Sequence, residues 1–156
     1  MTREERRELV ANYRRAAQEV VETGRGLDPE SLDREPTGGG WTPRWVLHHV
    51  ADAEVMNVGR LYRLLAEDAP FLPAFDQETY ASRLRYERRA ETSLAVISAL
   101  VGSNVDLLER LGDEDWLREG RHEELGSYSV ERWLVMRFDH CQQHAEQLRA
   151  AAPDPS

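Results

Sequence analysis

The chain has no lysine. Its twenty basic residues are all arginine, which excludes catalysis through a lysine Schiff base. It has one cysteine, Cys141, so neither an internal disulfide nor a cysteine-rich zinc site can form. No apolar run approaches the roughly 20 residues that a membrane span needs. The start, Met1-Thr2-Arg3-Glu4-Glu5-Arg6-Arg7-Glu8, lacks the apolar stretch of a secretory signal. These absences set the expectation of a cytoplasmic protein with no membrane partner. Positive charge is also short: 29 acidic residues face 20 basic ones, for a net charge of −9. Affinity built on phosphate contacts needs the opposite balance, so no nucleic-acid partner is expected.

What is present suits one globular domain. A chain of 156 residues, 40% of them hydrophobic, is long enough to bury a real core. Residues 1–152 are read as one domain, with Pro153 and Pro155 fraying a tail at 153–156. Helical spacing dominates, and no strand alternation stands out. Leu9, Tyr13, Ala16, Ala17 and Val20 mark a first helix from about residue 3 to 23, ended by Gly24 and Gly26. Asp28-Pro29-Glu30 starts a short extra turn, and Pro36-Thr37-Gly38-Gly39-Gly40 reads as a loop. Thr42 caps a second helix with Pro43 in its first position, where the missing N–H costs nothing. That helix runs to about residue 67, and Pro70 and Pro73 stiffen the loop after it. A third and longest helix is read from about 77 to 111, bent or interrupted at Gly102. Residues 112–127 read as a connector with little regular structure, of a length that often carries function. Ser127 or Ser129 caps a last helix ending near 151. Four helices in one domain predict an all-α four-helix bundle.

The histidines carry the main chemical signal. His140 and His144 are four residues apart, one helical turn, so both rings stand on one face. Two such rings can share a metal ion, as in the HExxH motif. Here the intervening residues are Cys141-Gln142-Gln143, so the general-base glutamate of that motif is missing. The alternative reading is a pair of interfacial histidines bonded to polar neighbours. On the second helix, Val46, Val50, Ala53, Leu61 and Leu64 form the core stripe. At about 100° per residue, His49 falls within a quarter turn of it, whereas His48 points nearly to the opposite side. His49 is therefore the better partner for His140 and His144. Three imidazoles leave coordination positions open, the pattern of a catalytic rather than a closed structural site.

Three stretches resemble one family. Trp41-Thr42-Pro43-Arg44-Trp45-Val46-Leu47-His48-His49-Val50-Ala51-Asp52-Ala53-Glu54 is similar to the second helix of the DinB-like family, with His49 at the position of its first metal ligand. Gly120 to Val130 resembles the stretch before the family's last helix. Asp139-His140, His144 and Gln147 resemble its closing motif, with His140 and His144 at the other two ligand positions. The resemblance covers nearly the whole chain. It implies a DinB/YfiT-like four-helix bundle, often a homodimer, holding a divalent ion such as nickel or zinc. Some members are transferases using low-molecular-weight thiols such as bacillithiol or mycothiol, or a thiol-dependent maleylpyruvate isomerase. DNA chemistry does not follow from the family name.

The expectation is thus a metal-dependent enzyme with a small-molecule substrate, a thiol-dependent S-transferase in the leading version. A metal-dependent hydrolase, or a non-catalytic metal- or ligand-binding protein, are the competing readings. Asp52 and Glu54 either orient a ligand or accept a proton beside His49, or form a solvated helix face, the favoured reading. Gln147 either bonds a metal-bound water or has no role there. Cys141 reads as a small buried hydrophobe rather than a ligand or nucleophile. His122 is either a substrate contact reaching over the site or an exposed loop histidine. Arg137 is either paired with a buried carboxylate or aimed at an anionic substrate.

Overall fold

The computed structural model describes residues 1–151, and the expected tail at 153–156 lies outside them. Its elements in chain order are α1 (Arg3–Gly26), α2 (Pro29–Asp33), α3 (Pro43–Ala66), β1 (Phe71–Leu72), α4 (Gln77–Arg83), α5 (Glu91–Leu108), β2 (Glu119–His122), β3 (Gly126–Ser129) and α6 (Val130–Ala151). A single 3-10 turn, Asp115–Leu117, precedes β2. The start signals act as their chemistry requires. Thr2 and Glu5 form a capping box on α1, Thr42 caps α3 with Pro43 inside it, and Ser129 Oγ accepts from the Arg132 amide at the start of α6. Each cap satisfies amides that a helix leaves without an internal partner.

Four long helices make the bundle. α1 packs along α6 and α5, and α3 packs against the same two, so α1 and α3 face each other across the centre. Ion pairs give the directions. Arg6 meets Glu131 and Arg149 meets Glu19, so α1 and α6 run parallel. Arg14 meets Glu109 while Gly24 approaches Leu94, so α1 and α5 are antiparallel. Trp133 donates to the Asn57 carbonyl at one level and His140 meets His49 further along, so α6 and α3 are antiparallel. Two consecutive long helices, α3 and α5, therefore run in the same direction, and the chain from 67 to 90 must cross the length of the bundle between them. Tyr13, Val20, Leu47, Leu61, Ile97, Trp133, Leu134 and Leu148 are fully enclosed between the four helices. Among the described residues α5 alone is long and apolar enough to cross a membrane by length and composition. Its Leu94, Ile97, Val101, Val105 and Leu108 are buried in the bundle.

Two expectations are corrected here. The long third helix is two helices, and the break falls at 84–90 rather than at Gly102, which stays inside α5. Arg85 takes a left-handed φ of 58°, which ends the helical path. That lets Tyr86 turn inward among Trp41, Trp45 and His48. The connector also holds regular structure: β2 and β3 form an antiparallel hairpin, and β1 adds to it in parallel. Gly126, with φ of 71°, opens the return strand. Gly120 permits a close approach, since a Cβ there would stand 2.5 Å from the Pro70 carbonyl oxygen. Gly120→Ala is expected to force β1 off the hairpin and lower stability by roughly 1–3 kcal/mol, the usual cost of overpacking. Urea unfolding reads this as a lower midpoint, and an unchanged midpoint would show that the Pro70 backbone yields freely.

Candidate metal centre

His49 comes from the first half of α3, and His140 and His144 from the second half of α6. The antiparallel pairing of those helices brings the three rings to one level. His49 Nε2 lies 2.9 Å from His140 Nε2. The ring centroids are 5.0 Å apart for His49 and His140, 5.0 Å for His49 and His144, and 4.5 Å for His140 and His144. One nitrogen from each of the three lies within 4.8 Å of the others, close enough to share an ion.

Gln147 has a clear part. Its Oε1 accepts from His144 Nδ1 at 2.9 Å, which fixes the tautomer and leaves Nε2 with its lone pair free. The edge of Trp41 stands against His49, with ring centroids 4.9 Å apart. Nδ1 of His140 is buried without a hydrogen-bond partner, so no contact there holds that ring in one tautomer.

The electrostatics favour neutral imidazoles. Burial, then the nearby His144 and Arg137, pushes His49 down to about 4. Burial is also the first cause of the lowered values of His140 and His144. A neutral imidazole is the form that ligates a metal. The donor set therefore fits a divalent ion: three imidazoles, the ligand type suited to zinc and nickel, uncharged at neutral pH.

The same shifts predict an acid-labile fold. A histidine held neutral to about 4 when folded titrates near 6.5 when unfolded. Between those values the unfolded chain binds more protons, so stability falls as pH drops through that window. His49 alone contributes up to ~3 kcal/mol of this loss. Thermal melts of the metal-free protein at pH 7.5 and pH 5 should show a clearly lower midpoint at pH 5. A midpoint independent of pH would show the rings to be protonated or exposed in the folded state.

A groove of about 310 Å³ opens beside the triad. His49 and His140 lie in its wall with Asn57, Arg60, Arg137 and, from the hairpin, His122 and Glu124. His122 is neither exposed nor in an irregular loop. It sits on β2, 4% exposed, and its Nδ1 accepts from the Glu124 and Leu125 amides. The neutral ring then carries its proton on Nε2.

Three sequence expectations fail on the face they assumed. His48 is fully buried rather than turned outward. Its Nε2 donates to the Arg88 carbonyl at 2.9 Å and its Nδ1 accepts from the Ser93 hydroxyl at 2.7 Å. α3 is flanked by α5 as well as α6, so it has two inner faces, and His48 serves the second. Asp52, one turn on, shares the face of His48; it accepts from the Tyr86 hydroxyl at 2.7 Å and lies away from the triad. Glu54 is not on a solvated face but fully buried. It accepts from the Tyr13 hydroxyl at 2.6 Å and from the Cys141 thiol at 3.6 Å. Cys141 is the buried small residue expected, its thiol pushed well up by burial and by Glu54.

Comparison with known proteins agrees with the fold. The sequence profile of the DinB superfamily matches residues 12–148. A protein of Oceanobacillus iheyensis, provisionally named a metal-dependent hydrolase, is 36% identical over 104 residues, 67% of this chain and 60% of that protein. The chain thus spans less than two thirds of that relative's length. A second O. iheyensis protein of the same provisional name is 29% identical over 135 residues, 86% of this chain and 78% of its own. Among solved structures, YfiT from Bacillus subtilis, described as a probable metal-dependent hydrolase with an unusual four-helix bundle topology, superposes with a TM-score of 0.85. It is 22% identical, and the match covers 95% of this chain and 87% of YfiT.

Proposed function

This chain belongs to the DinB superfamily, and from that premise we propose that it is a metal-dependent hydrolase of a small molecule. The ligands are His49, His140 and His144. The observation that carries the reading is the convergence of their three nitrogens beside an open groove. A divalent ion on three imidazoles supplies Lewis acidity and lowers the pKa of water toward neutrality. Zinc or nickel suits the donor set. The protein's own residues do the rest. Gln147 holds His144 in the ligating tautomer. His122 offers an N–H from the groove wall, and Glu124 at the rim is the carboxylate placed to accept a proton. The provisional names of the two O. iheyensis relatives support hydrolysis as the reaction class.

One observation favours a second reading, S-transfer from a low-molecular-weight thiol. Among the described residues the cluster itself contains no carboxylate. A thiol ionises near 8.5, far below water, and so needs less help from a base.

The test is turnover by protein stripped of metal and then reloaded with zinc or nickel. It is assayed on ester and amide substrates, and in parallel on an electrophile with a panel of thiols. Hydrolysis that appears only with metal and disappears in His140→Ala is the expected result. Thiol consumption without hydrolysis moves the assignment to transfer. No turnover of either kind by fully loaded protein overturns the enzymatic reading and leaves a metal-binding protein.

A further inference from the structure

We propose that Arg137 and Arg60 form an oxyanion subsite in the wall of the groove beside the histidine triad, so that the substrate carries a carboxylate or phosphate group. The inference rests on the triad reading for where the reacting end of that substrate lies. The anion subsite itself is argued from the two guanidinium groups.

Arg137 is the central observation. It is 6% exposed, yet its Nε and Nη1 are buried with no hydrogen-bond partner. Burying charged donors without hydrogen bonds is costly, and buried cations are normally fully bonded. The nearest carboxylate meets that need in part: buried Glu54 pairs with Arg137, as one sequence expectation had it, but without a hydrogen bond. Glu54 Oε1 stands 3.6 Å from Arg137 Nη1, too far for a hydrogen bond. Glu54 is also engaged elsewhere, by the Tyr13 hydroxyl and the Cys141 thiol. Arg137 thus lines an open groove with two donors unused, both of them just beneath its surface.

Arg60 supplies the second cation, one helix away. Its Nη1 donates to Asn57 Oδ1 at 3.2 Å and its Nη2 to the Pro73 carbonyl. Its guanidinium lies over the Phe75 ring, 5.6 Å from the centroid, so it is held at the groove rather than swinging in solvent. The two cations feel each other: Arg60 is lowered by burial first, and the positive charge of Arg137 lowers it further. The charge of Arg137 also reaches all three triad histidines. Among the described residues lining the groove the one carboxylate is Glu124, exposed at the rim, while Glu54 lies behind, engaged by Tyr13 and Cys141. Two cations lining one groove favour an anion bound there. Planar guanidinium groups match the oxygens of a carboxylate or phosphate in paired hydrogen bonds. With the groove's volume near 310 Å³, the ligand is a small anionic molecule whose other end reaches the triad.

The test is binding of acetate and of inorganic phosphate, each titrated separately through the millimolar range. It uses the full chain, both as purified and after metal removal by chelation. The readout is the Nε–Hε resonances of the arginines in nitrogen-15 spectra. In the metal-free protein no ion can hold the anion, so binding there reports on the arginines, whereas metal content measured separately reports on the triad. Saturable shifts of the Arg137 and Arg60 resonances are expected. Arg137→Gln should weaken binding about tenfold or more, as loss of a charge-assisted pair does, and Arg60→Gln by a smaller factor. Exposed Arg83→Gln should change nothing. The stronger-bound probe assigns carboxylate or phosphate. Should Arg137→Gln fail to fold, Arg60→Gln and Arg137→Lys, which keeps charge but loses the fork, carry the same comparison. No saturable binding of either anion, or binding equal in wild type and every variant, overturns the subsite.

Discussion

His140→Ala is expected to reduce divalent-metal binding from about one ion per chain to a level too weak to measure in micromolar zinc or nickel. The ring is one corner of a near-equilateral triangle with the other two candidate ligands, its Nε2 2.9 Å from that of His49. Removing it leaves two imidazoles on different helices, neither preorganised for an ion. Changes to groups that merely orient a ligand cost ~10–100-fold in affinity, and loss of a ligand itself costs more. Calorimetric titration of metal into the stripped protein measures this. The informative control is His48→Ala. His48 is the neighbour of His49 and is also buried, but it serves Ser93 and the Arg88 carbonyl. Its loss should lower the melting temperature and leave metal affinity within about twofold, since none of its contacts reaches the triad. Equal metal loss in both variants would mean that disturbance of α3, not ligation, was being read.

Trp133→Ala should be the most damaging single change to the fold, at about 3–5 kcal/mol. Trp133 is fully buried. Its ring meets Tyr13 edge to face at 5.9 Å, and its Nε1 donates to the Asn57 carbonyl at 2.8 Å. That one side chain ties α6 to both α1 and α3. Truncation leaves a cavity and removes the indole hydrogen bond to the Asn57 carbonyl. Against a total stability of about 5–15 kcal/mol, the variant should be largely unfolded well below the wild-type melting temperature. Circular dichroism melts give the answer. A shift of only a degree or two would show that the bundle closes over the gap.

The parts of the fold that were legible in the sequence are those whose signals are local. Thr42-Pro43 marked the start of α3 because a hydroxyl cap and a proline at N1 act within one turn. His140 and His144 could be placed together because four residues make one helical turn. His49 could be joined to them because it falls near the Val46–Val50–Ala53 stripe. The hairpin was not legible because the buried positions of β2 are Gly120 and His122, so no apolar alternation marks that strand. The break before α5 was not legible because it is made by Arg85 in a left-handed conformation, with no glycine or proline there. His48 was misplaced because α3 has a second inner side, against α5. Glu54 was misplaced because a carboxylate was assigned to solvent, whereas it faces α1 and α6 and is bonded there by Tyr13 and Cys141.

The functional groove depended on the same illegible pieces. His122 and Glu124 reach it only because the hairpin folds back beside α3 and α6, and Arg60 is fixed there by the Pro73 carbonyl before α4. Spacing on two helices can find the ligands of a site. The walls come from the crossover and the hairpin, whose positions are set by tertiary contacts such as Gly120 against Pro70.

The most direct test of the histidine centre is diffraction from crystals grown with zinc, with an anomalous difference map calculated at the zinc edge. The account predicts one strong peak bonded to Nε2 of His49, His140 and His144, at the ~2.0–2.1 Å typical of zinc and imidazole. A map with no peak among these rings, in protein loaded with zinc elsewhere or not at all, would contradict it.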